Sequence, residues 1–120
     1  MTATILSSNL GFCRMGDNRQ LKKLVEAFWA AKATETQLSE GAAEIRKAHL
    51  IVQKDAGINV IPSNDASLYD HVLDHLVVFG AVPSRYSHIA SKTDRYFAMG
   101  RGLQRPAENI DVPAMEMKKW

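Results

Sequence analysis

The chemistry most clearly suggested by the residues lies in Arg19-Gln20-Leu21-Lys22-Lys23. Its three cations fall in the first turn and a half of an expected helix, where the dipole is already positive. Cations there cost about 0.3–1 kcal/mol each at an exposed site. The unpaired amides at that helix end favour an anion. An anionic ligand would offset both effects; a solvated basic patch explains the same pattern without one, since single exposed charges are cheap.

Other reactive side chains form weaker patterns. His71 and His75 stand four apart, beside Asp70 and Asp74. That spacing suits two ligands of one metal, but the intervening Val72-Leu73-Asp74 lacks the glutamate of zinc-hydrolase helices. No metal site is expected here; a capping acid, an interfacial histidine and a solvated one account for the cluster. Cys13, between Phe12 and Arg14, has a cation beside its thiol, yet no histidine partner is evident, and packing is the expected role. Phe28-Trp29 and Tyr96-Phe97 could stack on bases, but the first pair fits a helix core face. No catalytic residue is assigned. Phosphate-loop, dinucleotide, nucleophile-elbow and Cys-x-x-Cys signatures are all missing.

These residues need elements to position them. Thr4–Leu10 is expected as a strand ending at Gly11-Phe12-Cys13-Arg14, with Gly16-Asp17-Asn18 as a turn. A helix follows from Arg19 to Ala31, with Asp17 or Asn18 as its cap and Leu21, Leu24, Val25, Phe28 and Trp29 on one face. Thr34-Glu35-Thr36-Gln37 is a capping box opening a second helix. Its inward face is expected to carry Leu38, Ala42, Ile45, His49, Val52 and Ala56, with Gly57 as its stop. Ile58–Ile61 reads as a buried strand, and Ser63-Asn64-Asp65 as caps for a third helix, Ser67–Phe79. That helix is expected to turn Leu68, Val72, Leu76 and Phe79 inward and to end at Gly80. Tyr96–Met99 reads as a short helical turn.

The order strand, helix, helix, strand, helix belongs to an α/β protein with a parallel sheet. A closed (β/α)8 barrel typically needs about 250 residues, so 120 residues read as an opening portion of such a fold, incomplete and helix-rich. The whole span 1–120 is taken as a single partial domain. Hydrophobic residues at 46 % and charged residues at 23 % exclude a disordered chain. A net charge of +2 makes no case for nucleic acid or an acidic membrane. The lone cysteine, the lack of a signal peptide and the lack of a long apolar run together indicate a cytoplasmic location.

Ordered segments along the chain resemble the N-terminal domain of the cobalamin-independent methionine synthases. They include Leu10-Gly11-Phe12-Cys13-Arg14-Met15-Gly16, Arg19-Gln20-Leu21-Lys22-Lys23 and Ala56-Gly57-Ile58-Asn59-Val60-Ile61-Pro62-Ser63-Asn64-Asp65. Further on come Tyr69-Asp70-His71-Val72-Leu73-Asp74, Gly80–Tyr86, Tyr96–Gly102 and Pro113–Trp120. The resemblance implies two facing (β/α)8 barrels in a complete enzyme. There a zinc-activated homocysteine thiolate takes a methyl group from 5-methyltetrahydropteroyltri-glutamate. The zinc and homocysteine sites belong to a C-terminal barrel absent from this chain, so this segment is expected to bind no cofactor and, alone, to transfer no methyl group.

What the resemblance carries over is the folate's polyglutamate-tail site: Arg19, Gln20, Leu21 and Lys22 match the family's Arg-Glu-Leu-Lys, and Lys119 matches a lysine near its Glu-Met-Thr-Lys-Trp. The expected partners are that folate and either the missing remainder of the enzyme or a second copy. A rival reading is a truncated, non-catalytic remnant acting as an interaction protein. Four departures stand out. Cys13 replaces a usual proline, Gln20 a usual acid, and Ala66 a usual aromatic worth about 3 kcal/mol if that site is a core one. His75 lies outside the family pattern.

Overall fold

The computed structural model describes residues 3–115 and divides into two compact units, 1–68 and 69–120. In the first unit, α1 (Gln20–Trp29) packs on α2 (Glu35–Asp55). Leu21, Val25 and Leu38 are buried. Close approach is possible because Gly41 carries no side chain: a Cβ there would stand 2.6 Å from a methyl of Leu24.

The capping box is present in full. Thr34 Oγ1 accepts from the Gln37 amide, Gln37 Oε1 accepts from the Thr34 amide, and Gly57 at φ 81° follows the C-cap. Thr34→Ala is expected to cost about 1 kcal/mol, read as a lower urea midpoint at unchanged slope. The inward face of α2 holds only over its first half. Val52 is 53 % exposed, whereas Gln53 is buried, its amide donating to the His49 carbonyl and its Oε1 accepting from Asn9. A side chain that can satisfy its own polar atoms has displaced the apolar one predicted there.

The two expected strands reduce to a single parallel bridge, Ser8 to Val60. Ser7 and Asn59 hold it: Asn59 Oδ1 accepts from the Ser7 amide at 2.9 Å, and the Ser7 carbonyl accepts from the Asn59 and Val60 amides. Val60 is 52 % exposed rather than buried. A parallel pair is stable when both faces are covered, and two short segments cannot do that for each other.

The second unit contains α3 (His71–Val78), α4 (Lys92–Arg101) and an antiparallel hairpin of β1 (Leu103–Arg105) and β2 (Ile110–Val112). Helix α3 starts later than predicted. Its cap is Asp70, accepting from the Val72 amide, while Asp65 instead accepts from the Phe12 amide. Its buried residue is Leu73; Val72 and Phe79 are exposed, contrary to the predicted face. Six of the eight residues from Val72 to Phe79 are apolar, so periodicity does not choose a side.

Helix α4 is a full helix, not a turn. Ser91 Oγ caps the Asp94 amide, and Tyr96, Phe97, Ala98 and Met99 are all buried. The pair Tyr96–Phe97 meets edge to face at 5.2 Å, a core contact. Gly100 lets α4 lie against Tyr69 and Leu73, since a Cβ would fall 2.6 Å from the tyrosine ring. Asp94 and Arg105 form a paired contact at 2.8 and 3.0 Å, tying the helix to the hairpin. The hydrogen bonds that Arg105 donates to Asp94 raise the pKa of its guanidinium above the ordinary arginine value. Mixed helix and sheet of this kind is compatible with an α/β domain.

Candidate functional site

The turn before α1 is built around Gly16. At φ 80° it takes a left-handed conformation that a side chain would strain, and a Cβ there would overlap the carboxamide of Gln20. Gln20 Oε1 accepts from the Asn18 amide at 3.0 Å, closing the turn from the helix side. The Gly16 carbonyl accepts from the Arg19 amide, and the Met15 carbonyl from the Leu21 amide, both at 3.1 Å.

Arg19, rather than Asp17 or Asn18, is the N-cap. It sits in the left-handed region at φ 56° and ψ 38°, with no side chain capping the helix. Neither Asp17 nor Asn18 caps the helix; the Asn18 amide bonds within the turn. The amides of Gln20 and Lys22 accordingly meet no acceptor among the described residues. A left-handed, non-glycine cap costs of order 1 kcal/mol, which the surrounding turn must sustain.

Arg19, Gln20, Lys22 and Lys23 are exposed, and Leu21 is buried at 4 %. The side chain of Leu21 thus anchors the helix while its neighbours face solvent. Lys22 lies 3.7 Å from Glu26, with both side chains 53 % exposed. Such a pair is worth between nothing and about 1 kcal/mol, so a better anion can take the ammonium from it. The structure therefore brings Arg19, Gln20, Leu21 and Lys22 together on one turn; Lys119 lies outside the described residues.

The remaining candidates separate. Cys13 is exposed. His71 is 3.8 Å from Asp74 at an exposed position, and His75 turns back to the His71 carbonyl at 2.7 Å. Among the described residues no group of three His, Cys, Asp or Glu side chains is placed to hold a metal. Ala66 is exposed, so a core penalty does not apply there: an aromatic would lie at the surface, in the shallow cleft beside Phe12, Arg14 and His49. The sequence reading missed the Asp94–Arg105 pair and the hairpin it anchors; Ser91-Lys92-Thr93-Asp94, a hydroxyl followed three residues later by an acid, is the signal that marks the start of α4. No helix among the described residues is long and apolar enough to cross a membrane.

Comparison with known proteins gives a consistent result. Residues 6–120 match the family described as cobalamin-independent synthase, N-terminal domain. A Dictyostelium discoideum protein named 5-methyltetrahydropteroyltriglutamate–homocysteine methyltransferase is 47 % identical over 97 % of this chain and 17 % of its own length. Proteins of the same name from Xylella fastidiosa (strain M23) and Saccharomyces cerevisiae are 49 % and 46 % identical, over 94 % and 97 % of this chain. The chain spans 15 % and 16 % of those two relatives.

Proposed function

Because the chain belongs to the cobalamin-independent synthase family through its N-terminal domain, we propose that it forms the opening part of a (β/α)8 barrel, residues 1–120 being one partial domain. Its role in this reading is to hold the polyglutamate tail of 5-methyltetrahydropteroyltri-glutamate during methyl transfer to homocysteine, in methionine biosynthesis in the cytoplasm. The observation that carries it is the turn at Gly16–Lys22. Two cationic side chains and two unmet amides stand together there with no acidic cap in competition.

A triglutamate tail presents several carboxylates. Arg19 offers a planar fork for one and Lys22 a point charge for another. Gln20 and Leu21 hold the turn on which those two stand, and Lys119 supplies a further cation. The family's usual acid at position 20 would add a negative charge beside the tail; Gln20 keeps the bond to the Asn18 amide without it.

Zinc, in this reading, belongs to the part of the enzyme outside this chain. The described side chains do not fit it, since His71 and His75 are engaged locally and have no third donor. The chain alone therefore has no means of activating a homocysteine thiol and is proposed to be inactive in methyl transfer.

Calorimetric titration with a triglutamyl folate tests the site. Arg19→Ala and Lys22→Ala are expected to weaken binding about two- to fivefold each, the scale of an exposed charge pair, and roughly tenfold together. Unchanged affinity in the double variant would overturn the assignment.

A further inference from the structure

The turn at Gly16–Lys22 is only as fixed as the loop that leads into it. Residues 11–16 contain no proline, and Gly11 and Gly16 take positive φ values of 154° and 80°. Glycine gives a loop more conformations to visit, so this backbone carries little restraint of its own. Restraint comes instead from side-chain bonds to residues 65–68. Asp65 Oδ2 accepts from the Phe12 amide at 2.9 Å. Gly11 permits that approach, since a Cβ there would stand 3.1 Å from the same oxygen. Two residues on, Arg14 Nη1 donates to the Ser67 and Leu68 carbonyls at 3.0 and 3.3 Å, and Ser67 is buried. Hydrogen bonds to ionised groups are roughly twice as strong as neutral ones, so both clamps are worth having.

We infer that Asp65 is a positioning residue for the Arg19–Lys22 turn. Its carboxylate holds one end of the loop and Arg14 holds the other. The carbonyl that follows Arg14, that of Met15, accepts from the Leu21 amide at 3.1 Å, and the Gly16 carbonyl accepts from the Arg19 amide. The place where the loop meets α1, and with it the direction in which Arg19 and Lys22 face an anion, is therefore set from residues 65–68. Asp65 itself touches no ligand in this account. Its effect on binding rests on the folate-tail reading; its effect on the turn does not.

The test combines amide exchange with calorimetric titration of the full chain. In Asp65→Ala the Arg19 and Leu21 amides are expected to exchange about tenfold faster or more, with circular dichroism unchanged. The preference for triglutamyl over monoglutamyl folate is expected to fall about threefold, because a turn formed about a third of the time binds with a third of the affinity. Asp65→Asn, whose Oδ1 can accept the same N–H, keeps most of both properties. Adding Cys13→Pro to Asp65→Ala restores them. The ring fixes φ within the loop, and the Cys13 amide meets no acceptor among the described residues, so no bond is lost.

A purely structural role would lower the urea midpoint of Asp65→Ala and leave the folate preference in place, which would overturn the inference. So would unchanged exchange at Leu21, or a Cys13→Pro double variant no better than Asp65→Ala alone. Equal affinity of the unsubstituted chain for both folates would defeat the folate-tail reading alone; the Leu21 exchange then decides for or against Asp65 by itself.

Discussion

Tyr86→Ala is expected to destabilise the second unit by about 3–5 kcal/mol, the range for deleting a large buried aromatic. Tyr86 has no exposed surface, and its hydroxyl donates to the Pro113 carbonyl at 2.7 Å, fastening the segment after β2. The Arg85 guanidinium lies 5.0 Å from the ring centroid. The substitution removes ring packing, leaves the carbonyl without its donor, and releases the 3-10 turn Ser84–Tyr86 from its anchor. Small domains have about 5–15 kcal/mol in all, so most of that reserve is consumed. Tyr86→Phe separates the contributions, because it keeps the ring and loses only the hydroxyl bond, for about 0.5–1.5 kcal/mol. Urea unfolding followed by the aromatic signal of the second unit measures both. Equal losses for the two variants would mean that the hydroxyl, not the ring, holds the unit together.

Leu38→Ala is expected to cost the first unit about 2–5 kcal/mol. Leu38 is 1 % exposed and sits where α1 and α2 meet, with Leu21 and Val25 buried in the same unit. The close approach of Gly41 to Leu24 leaves little freedom for the helices to collapse into the space vacated, so the cavity persists. Val52→Ala is the control. The repeat of apolar residues puts Val52 on the same face as Leu38, but it is 53 % exposed, and its loss is expected to stay within about 0.5 kcal/mol. Comparable losses at the two positions would contradict the packing of α2.

The contrast between Leu38 and Val52 shows what a sequence carries by itself. Local chemistry was legible: the Thr34–Gln37 capping box, the Gly57 stop and the first half of the α2 face depend on neighbours a few residues away. The face of α3 was not legible, because Val72, Leu73, Leu76, Val77, Val78 and Phe79 leave no polar side to define the buried one. Helix α4 was read as a turn because Tyr96–Met99 is a continuous apolar run, buried all round, without helical periodicity. The Thr4–Leu10 and Ile58–Ile61 strands were read from residue type, but a strand is completed by partners, and these two share one bridge.

The site divides in the same way. Clustering of cations at the start of α1 was evident from order alone. That Arg19 itself would cap the helix in a left-handed conformation was not. Gly16 makes room for the carboxamide of Gln20, and Gln20 accepts from the Asn18 amide, a turn in which no side chain caps the helix. No acidic or amide side chain caps the helix there, as the proposed anion site requires.

The most direct test of the central claim compares mono-, di- and triglutamyl forms of the same folate by calorimetric titration of this chain at two salt concentrations. If the Arg19–Lys22 turn holds the tail, affinity rises with each added glutamate and the gain shrinks at higher salt, as screening of exposed charges requires. Equal affinity for all three forms, or a gain that salt leaves untouched, would contradict it.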